Sequence, residues 1–166
     1  TIGIKDLIGK TIGIMVSLLY IMDGSIKTMN SAMGTPPIST FAGKCFHPDT
    51  TLKLSDGTIK TMKDIDLGDI LEDGAFVESI LKIDNKREPI IFYEIKDGGI
   101  GGMPIYVTGT HLIYDKATNK FIQVKDYSKA KVTNITTEYF SCLITSNHKI
   151  YIGDEIFWDW EDHFVR

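Results

Sequence analysis

The sequence predicts a mostly β fold: a compact all-β domain of many short strands, preceded by a long amphipathic N-terminal helix. Three observations carry this expectation. Apolar side chains recur at alternating four- and three-residue intervals, at Ile8, Ile12, Met15, Leu19, Met22, Ile26, Met29 and Met33, which keeps one stripe on one helical face. Beyond residue 44 the period changes to that of strands, in β-branched and aromatic runs separated by turn residues. Asp56-Gly57, Asp73-Gly74 and Asp97-Gly98 supply the chemistry of tight hairpin turns between those runs.

The helical segment covers residues 1–34. At about 1.5 Å per residue it would reach roughly 45 Å, long for a helix packed within a small domain. Gly34 ends it by accepting a left-handed cap, and Pro36 and Pro37 lack the donor a continuing helix needs. Thr11 to Met22 is free of charge, but this stretch falls short of the roughly 18 to 20 residues that span a bilayer. The stripe therefore predicts contact with a partner protein or a membrane surface, or docking on its own domain. Four of the six methionines lie here, suited to an adaptable contact surface or an ordinary core stripe.

Residues 35–44 form the linker, extended because a residue before proline is pushed out of the helical region. The β domain then occupies residues 45–166. Its strand runs are 51–54, 58–60, 70–71, 76–83, 90–95, 105–107, 112–114, 121–124, 136–144 and 149–152. Gly98, Gly99, Gly101 and Gly102 form a loop able to approach a site or simply to turn a corner.

Composition narrows the function classes. A chain of 166 residues with 43% hydrophobic residues is one ordinary domain with a short appendage, which excludes disordered, collagenous and all-membrane classes. Residues 1–44 carry +2, leaving −6 for the remainder of the net −4, and that acidic bulk argues against a nucleic-acid partner. Two cysteines, Cys45 and Cys142, cannot build a disulfide framework, and neither belongs to a CxxC pair. The four histidines lack ligand spacing, so no metal or cofactor is expected. The chain opens at Thr1 without Met, as a fragment or processed product would, and localisation stays open.

Three features converge on one chemistry. Cys45 stands at the first residue of the β domain, where a thiol can attack the carbonyl just before it. Thr108-Gly109-Thr110-His111 follows the run 105–107, placing a hydroxyl and an imidazole at a strand end. The run from Tyr139 through His148 to Gly153 leads into Trp158-Asp159-Trp160.

At these residues the sequence resembles the Hint family, the Hedgehog and intein self-processing domains. Cys45-Phe46 through Thr50 to the Asp56-Gly57 hairpin resembles the family's nucleophile block, and the segment from Met62 to Asp69 resembles what succeeds it. Thr108 and His111 match the Thr-x-x-His block, and His148 falls near the family's penultimate-block histidine. The resemblance covers about residues 45–160.

It implies an autoproteolytic domain that makes an N-to-S acyl shift at Lys44-Cys45, its own upstream polypeptide being the substrate. The thioester would then be resolved by water or another nucleophile. An amide resists such attack unless the departing amine is protonated, and histidine, which ordinarily titrates near neutrality, suits that task at position 111. Thr108 is placed to hydrogen-bond the scissile amide. Full splicing is not expected, because no terminal Asn with a following Cys, Ser or Thr is present; Asp159 stands in a comparable place with a structural role as the first expectation. The alternative is a catalytically silent Hint-fold module in a structural or membrane-associated assembly, such as a virion component. Cys142 is expected in the core or near Cys45 as an acyl acceptor or redox partner, His47 and His163 on the surface, Glu161 and Asp162 solvated, and Phe157, Trp158 and Trp160 packed at the end of the β core.

Overall fold

The computed structural model describes residues 44–87 and 89–161. The helical segment 1–34, the linker before Lys44, and His163 and Asp162 lie outside the described residues. Among those described, no helix is long and apolar enough to cross a membrane.

Eleven strands are described: β1 (Thr51–Lys53), β2 (Ile59–Thr61), β3 (Val77–Asp84), β4 (Phe92–Ile95), β5 (Ile105–Thr108), β6 (Leu112–Asp115), β7 (Lys120–Gln123), β8 (Ala130–Val132), β9 (Tyr139–Thr145), β10 (Lys149–Ile152) and β11 (Glu155–Trp158). All pairings are antiparallel: β1 with β2, β3 with β9, the order β5-β4-β8, and the order β10-β11-β6-β7. Short 3-10 turns follow β2, precede β5 and follow β7.

Turn chemistry sets the β1–β2 hairpin. Gly57 takes φ 89°, Leu54 N–H donates to Thr58 O at 2.8 Å, and Asp56 Oδ1 accepts from Thr58 N–H. Gly74 at φ 91° does the same between Leu71 and Ala75. Asp97-Gly98 departs from the expected tight turn: Asp97 is the left-handed residue (φ 63°), and the chain runs on through a 3-10 turn at Ile100–Gly102 before β5. The glycine loop turns a corner. Gly98 O accepts from Asp154 N–H, and a Cβ at Gly99 would stand 2.6 Å from Met103 O.

Two strands escape the sequence pattern. β8, Ala-Lys-Val, is only three residues long and largely exposed, too short to show alternation. The Phe157 and Trp158 cluster, expected to pack the end of the core, is itself strand β11, turned back from β10 at Gly153. Residues 70 and 71 make isolated bridges, to Phe76 and Leu54, and not a strand.

Strand β9 is the centre of the fold and buries five of its seven residues, Phe140 to Leu143 and Thr145. One edge pairs with β3, with a register irregularity between Val77 and Ser79. Along the other edge lies Phe46, which exchanges both backbone hydrogen bonds with Ser141 (2.8 and 2.9 Å), and farther along Trp160 N–H donates to Leu143 O at 3.0 Å. Phe46 also bridges to Val107 of β5. The beginning and end of the described β domain are thereby brought to one strand, over a core that includes Phe46, Phe92, Phe140 and Phe157.

Candidate functional site

Pairing to both sides decides where Cys45 sits. Its backbone lies between β5 and β9, with Thr108 opposite on one side and Cys142 opposite on the other, as the Phe46–Val107 and Phe46–Ser141 bridges require. Thr108 N–H donates to Cys45 O at 3.0 Å, the first of two bonds that an antiparallel pair normally exchanges. The second is rerouted. Cys45 N–H donates to Thr108 Oγ1 at 3.0 Å, while Thr108 O accepts from His111 N–H, closing the turn that follows β5. The Thr108 hydroxyl also lies 3.2 Å from Cys45 O, to which it donates. Lys44-Cys45 is thus the peptide that the Thr108 side chain holds.

The turn after β5 depends on Gly109. A Cβ there would come within 2.7 Å of the Tyr93 ring, so any larger residue displaces Tyr93 or the turn. Val124 N–H donates to His111 O and Lys125 N–H to Gly109 O, fixing the turn on the segment after β7. His111 is fully buried, its ring 4.6 Å from that of Phe46 and 5.6 Å from that of Phe157. Its Nε2 is 2.7 Å from Trp158 O. A carbonyl only accepts, so Nε2 carries a hydrogen there and Nδ1 is the atom at which a proton can be exchanged.

Cys45, Thr108 and His111 are each 0% exposed and gathered around Phe46 and β5. His148 stands apart from them. It is left-handed (φ 63°) and half-exposed, with Nδ1 3.0 Å from Asp159 Oδ2 and 3.7 Å from Glu161 Oε1, and its ring stacks at 6.4 Å on Trp158. It meets the Cys45 group through Trp158, whose carbonyl holds His111.

Asp159 is the organiser of this second group. Fully buried, it accepts from Thr145 N–H (2.9 Å) and Glu161 N–H (2.8 Å) besides facing His148. Burial raises its carboxyl above the ordinary aspartate value in spite of those hydrogen bonds. Burial, followed by the Asp159 charge, raises Glu161 as well, which is only partly solvated. His47 is likewise half-buried, against Phe92 and Tyr106, with Nδ1 accepting from Asp49 N–H, and burial lowers it.

Cys142 is fully buried, and its thiol lies within hydrogen-bonding reach of Cys45. Burial, then Cys45, then the Asp159 charge push it well above an ordinary thiol. The sequence left Cys142 either in the core or near Cys45, and the pairing of Phe46 with Ser141 places it in both. Among the described residues no three His, Cys, Asp or Glu side chains are grouped to hold a metal ion.

No protein-family model matches the chain, and none of the curated protein sequences is significantly similar to it. Similar solved structures are inteins. A variant of the Ssp DnaB mini-intein aligns with a TM-score of 0.51 and 14% identity, covering 69% of this chain and 93% of its own. The MchDnaB-1 intein aligns with a TM-score of 0.50 and 15% identity, covering 69% of this chain and 99% of its own. The β domain has an intein-like, Hint-type fold.

Proposed function

We propose that this Hint-type fold belongs to a self-processing domain that converts the Lys44-Cys45 peptide into a thioester. The hydrogen bond from Cys45 N–H to Thr108 Oγ1 carries this reading, because it engages the amide that has to be broken. Cys45 Sγ attacks the Lys44 carbonyl carbon, forming the S–C bond, and the C–N bond then breaks. The nitrogen leaves as an amine, so it must gain a proton as the bond breaks. His111 relays it: Nδ1, which carries no hydrogen in a neutral ring whose Nε2–H donates to Trp158 O, takes the proton that the Cys45 thiol gives up on attack and passes it to the departing nitrogen. Thr108 holds the amide by its hydroxyl and the Cys45 carbonyl by its N–H, so the departing nitrogen stays aligned. His148 acts one step removed, as a positioning residue for Asp159. Water or an external nucleophile then releases residues 1–44 from the thioester.

The test uses the full chain in hydroxylamine or a small thiol, followed by mass spectrometry. Hydroxylamine attacks the thioester carbonyl and expels the Cys45 thiol, so the expected products are residues 1–44 as a hydroxamate and residues 45–166. Cys45→Ala abolishes the cut. A folded chain that stays intact across thiols, hydroxylamine and pH overturns the reading in favour of a silent structural module.

A further inference from the structure

We infer that Cys45 and Cys142 form a cross-strand dithiol that closes to a disulfide under oxidising conditions, taking the nucleophile out of action until it is reduced. This rests on the self-processing reading for its consequence, but the dithiol stands on its own geometry.

Phe46 and Ser141 exchange both backbone hydrogen bonds, which makes them a hydrogen-bonded antiparallel pair. The next pair outward, Cys45 and Cys142, is then of the non-hydrogen-bonded kind, and the backbone of Cys45 agrees: its N–H and C=O both turn to Thr108, away from β9. Opposed residues in such a pair lie about 4.5 Å apart at Cα, with side chains on one face. Disulfides span Cα separations of roughly 4.4–6.8 Å. The two thiols are hydrogen-bonding neighbours, and both are fully buried in the core. A buried thiol pair gains nothing as thiolates, whereas a disulfide is uncharged and needs no water.

The chemistry balances with a low-molecular-weight disulfide as oxidant. One cysteine thiolate attacks the oxidant's S–S bond, giving a mixed disulfide and one thiol. The second cysteine attacks the protein sulfur of that mixed disulfide and expels the second thiol. Two protein thiols lose two electrons and two protons, and the oxidant disulfide becomes two thiols. A sulfur bound in the disulfide has no thiolate to present to the Lys44 carbonyl.

The full chain is equilibrated in mixtures of reduced and oxidised glutathione, quenched in acid, and mapped by peptide mass. The expected result is one cross-linked peptide containing Cys45 and Cys142, short of two hydrogen atoms, reversed by dithiothreitol. Because a long loop is closed, the oxidised chain should melt about 5–10 °C higher. Its cut by hydroxylamine should fall at least about tenfold and recover on reduction, a difference of roughly 1.4 kcal/mol. Glutathione adducts without the cross-link, dimers joined through either cysteine, two unreacted thiols, or a lower melting temperature would each overturn the inference. A chain that forms the cross-link yet never cuts itself would sink the self-processing reading and leave the dithiol standing.

Discussion

The amide of Cys45 donates to Oγ1 of Thr108 at 3.0 Å, where a regular antiparallel ladder would have offered Thr108's own carbonyl. That carbonyl is turned to His111 N–H by the turn after β5. The Thr-x-x-His spacing therefore has a local cause: the turn withdraws a backbone acceptor, and the threonine side chain replaces it. Thr108→Val keeps the shape and removes the acceptor. A net hydrogen bond of about 0.5–1.5 kcal/mol corresponds to a cut slowed roughly 2- to 13-fold. Thr108→Ser, which keeps the hydroxyl, should retain most of the rate in a hydroxylamine time course.

His111 is wedged between Phe46 and Phe157 with Nε2 committed to Trp158 O. A group giving a proton to the departing amine contributes roughly 100- to 10,000-fold, so His111→Ala should slow the cut by that order. The truncation leaves a ring-sized space between two aromatic side chains. Free imidazole should enter it and restore part of the rate in a concentration-dependent manner. No recovery in a variant whose folding is shown intact by circular dichroism would assign His111 a packing role alone.

Much of the architecture is legible in the sequence, for reasons that differ by element. The β1–β2 hairpin was readable because Asp56-Gly57 forces a local turn, and β9 because a long β-branched and aromatic run has few other fates. β11 was not, since Phe157 and Trp158 look the same in a packed cluster as in a strand, and its turn at Gly153 lacks the Asp-Gly order. The site divides in the same way. Cys45, Thr108 and His111 are legible as a pattern, whereas the facing of Cys142 on Cys45 follows from a register, a long-range property that no local signal encodes. Asp159 looked structural, and its hydrogen bonds to Thr145, Glu161 and His148 give that role content. The N-terminal stripe falls on residues outside the described structure.

Asn85 fastens the outer end of the β3–β9 pair. Its side chain donates to Ile90 O, Thr136 Oγ1 and Thr137 O, and accepts from Ile90 N–H at 2.8 Å, while the residue is only 4% exposed. Asn85→Leu has similar volume but strands several of those partners away from water. Leaving buried groups unsatisfied costs about 1–3 kcal/mol. Urea unfolding should show a lower midpoint with an unchanged slope, since the surface exposed on unfolding is the same. A midpoint equal to the parent's would mean that water replaces the lost bonds.

Asp159 gives the fold an unusual pH response. Burial is the largest influence on its carboxyl and raises it above the ordinary 3.8, outweighing the hydrogen bonds from Thr145 and Glu161 and the attraction of His148. The native state therefore holds this proton more tightly than the unfolded chain does. Its contribution to stability is fully present below the unfolded value of 3.8 and is lost as pH rises through the higher folded value. Carboxylates with lowered values, such as Asp49 beside Lys63 and Asp56 at its turn, act in the opposite direction, so the parent's curve alone does not isolate the effect. Asp159→Asn removes the titration and adds a constant penalty, because the amide nitrogen cannot accept from Thr145 N–H. Subtracting the two curves cancels the common carboxylates. Between about pH 7 and about pH 4 the parent should gain stability relative to Asp159→Asn, measured by urea unfolding at stepped pH. The gain is reinforced by Glu161, which the Asp159 charge holds up in the parent and not in the variant. A difference that is flat, or that moves the other way, would mean that the Asp159 carboxylate is stabilised by its hydrogen bonds more than burial penalises it.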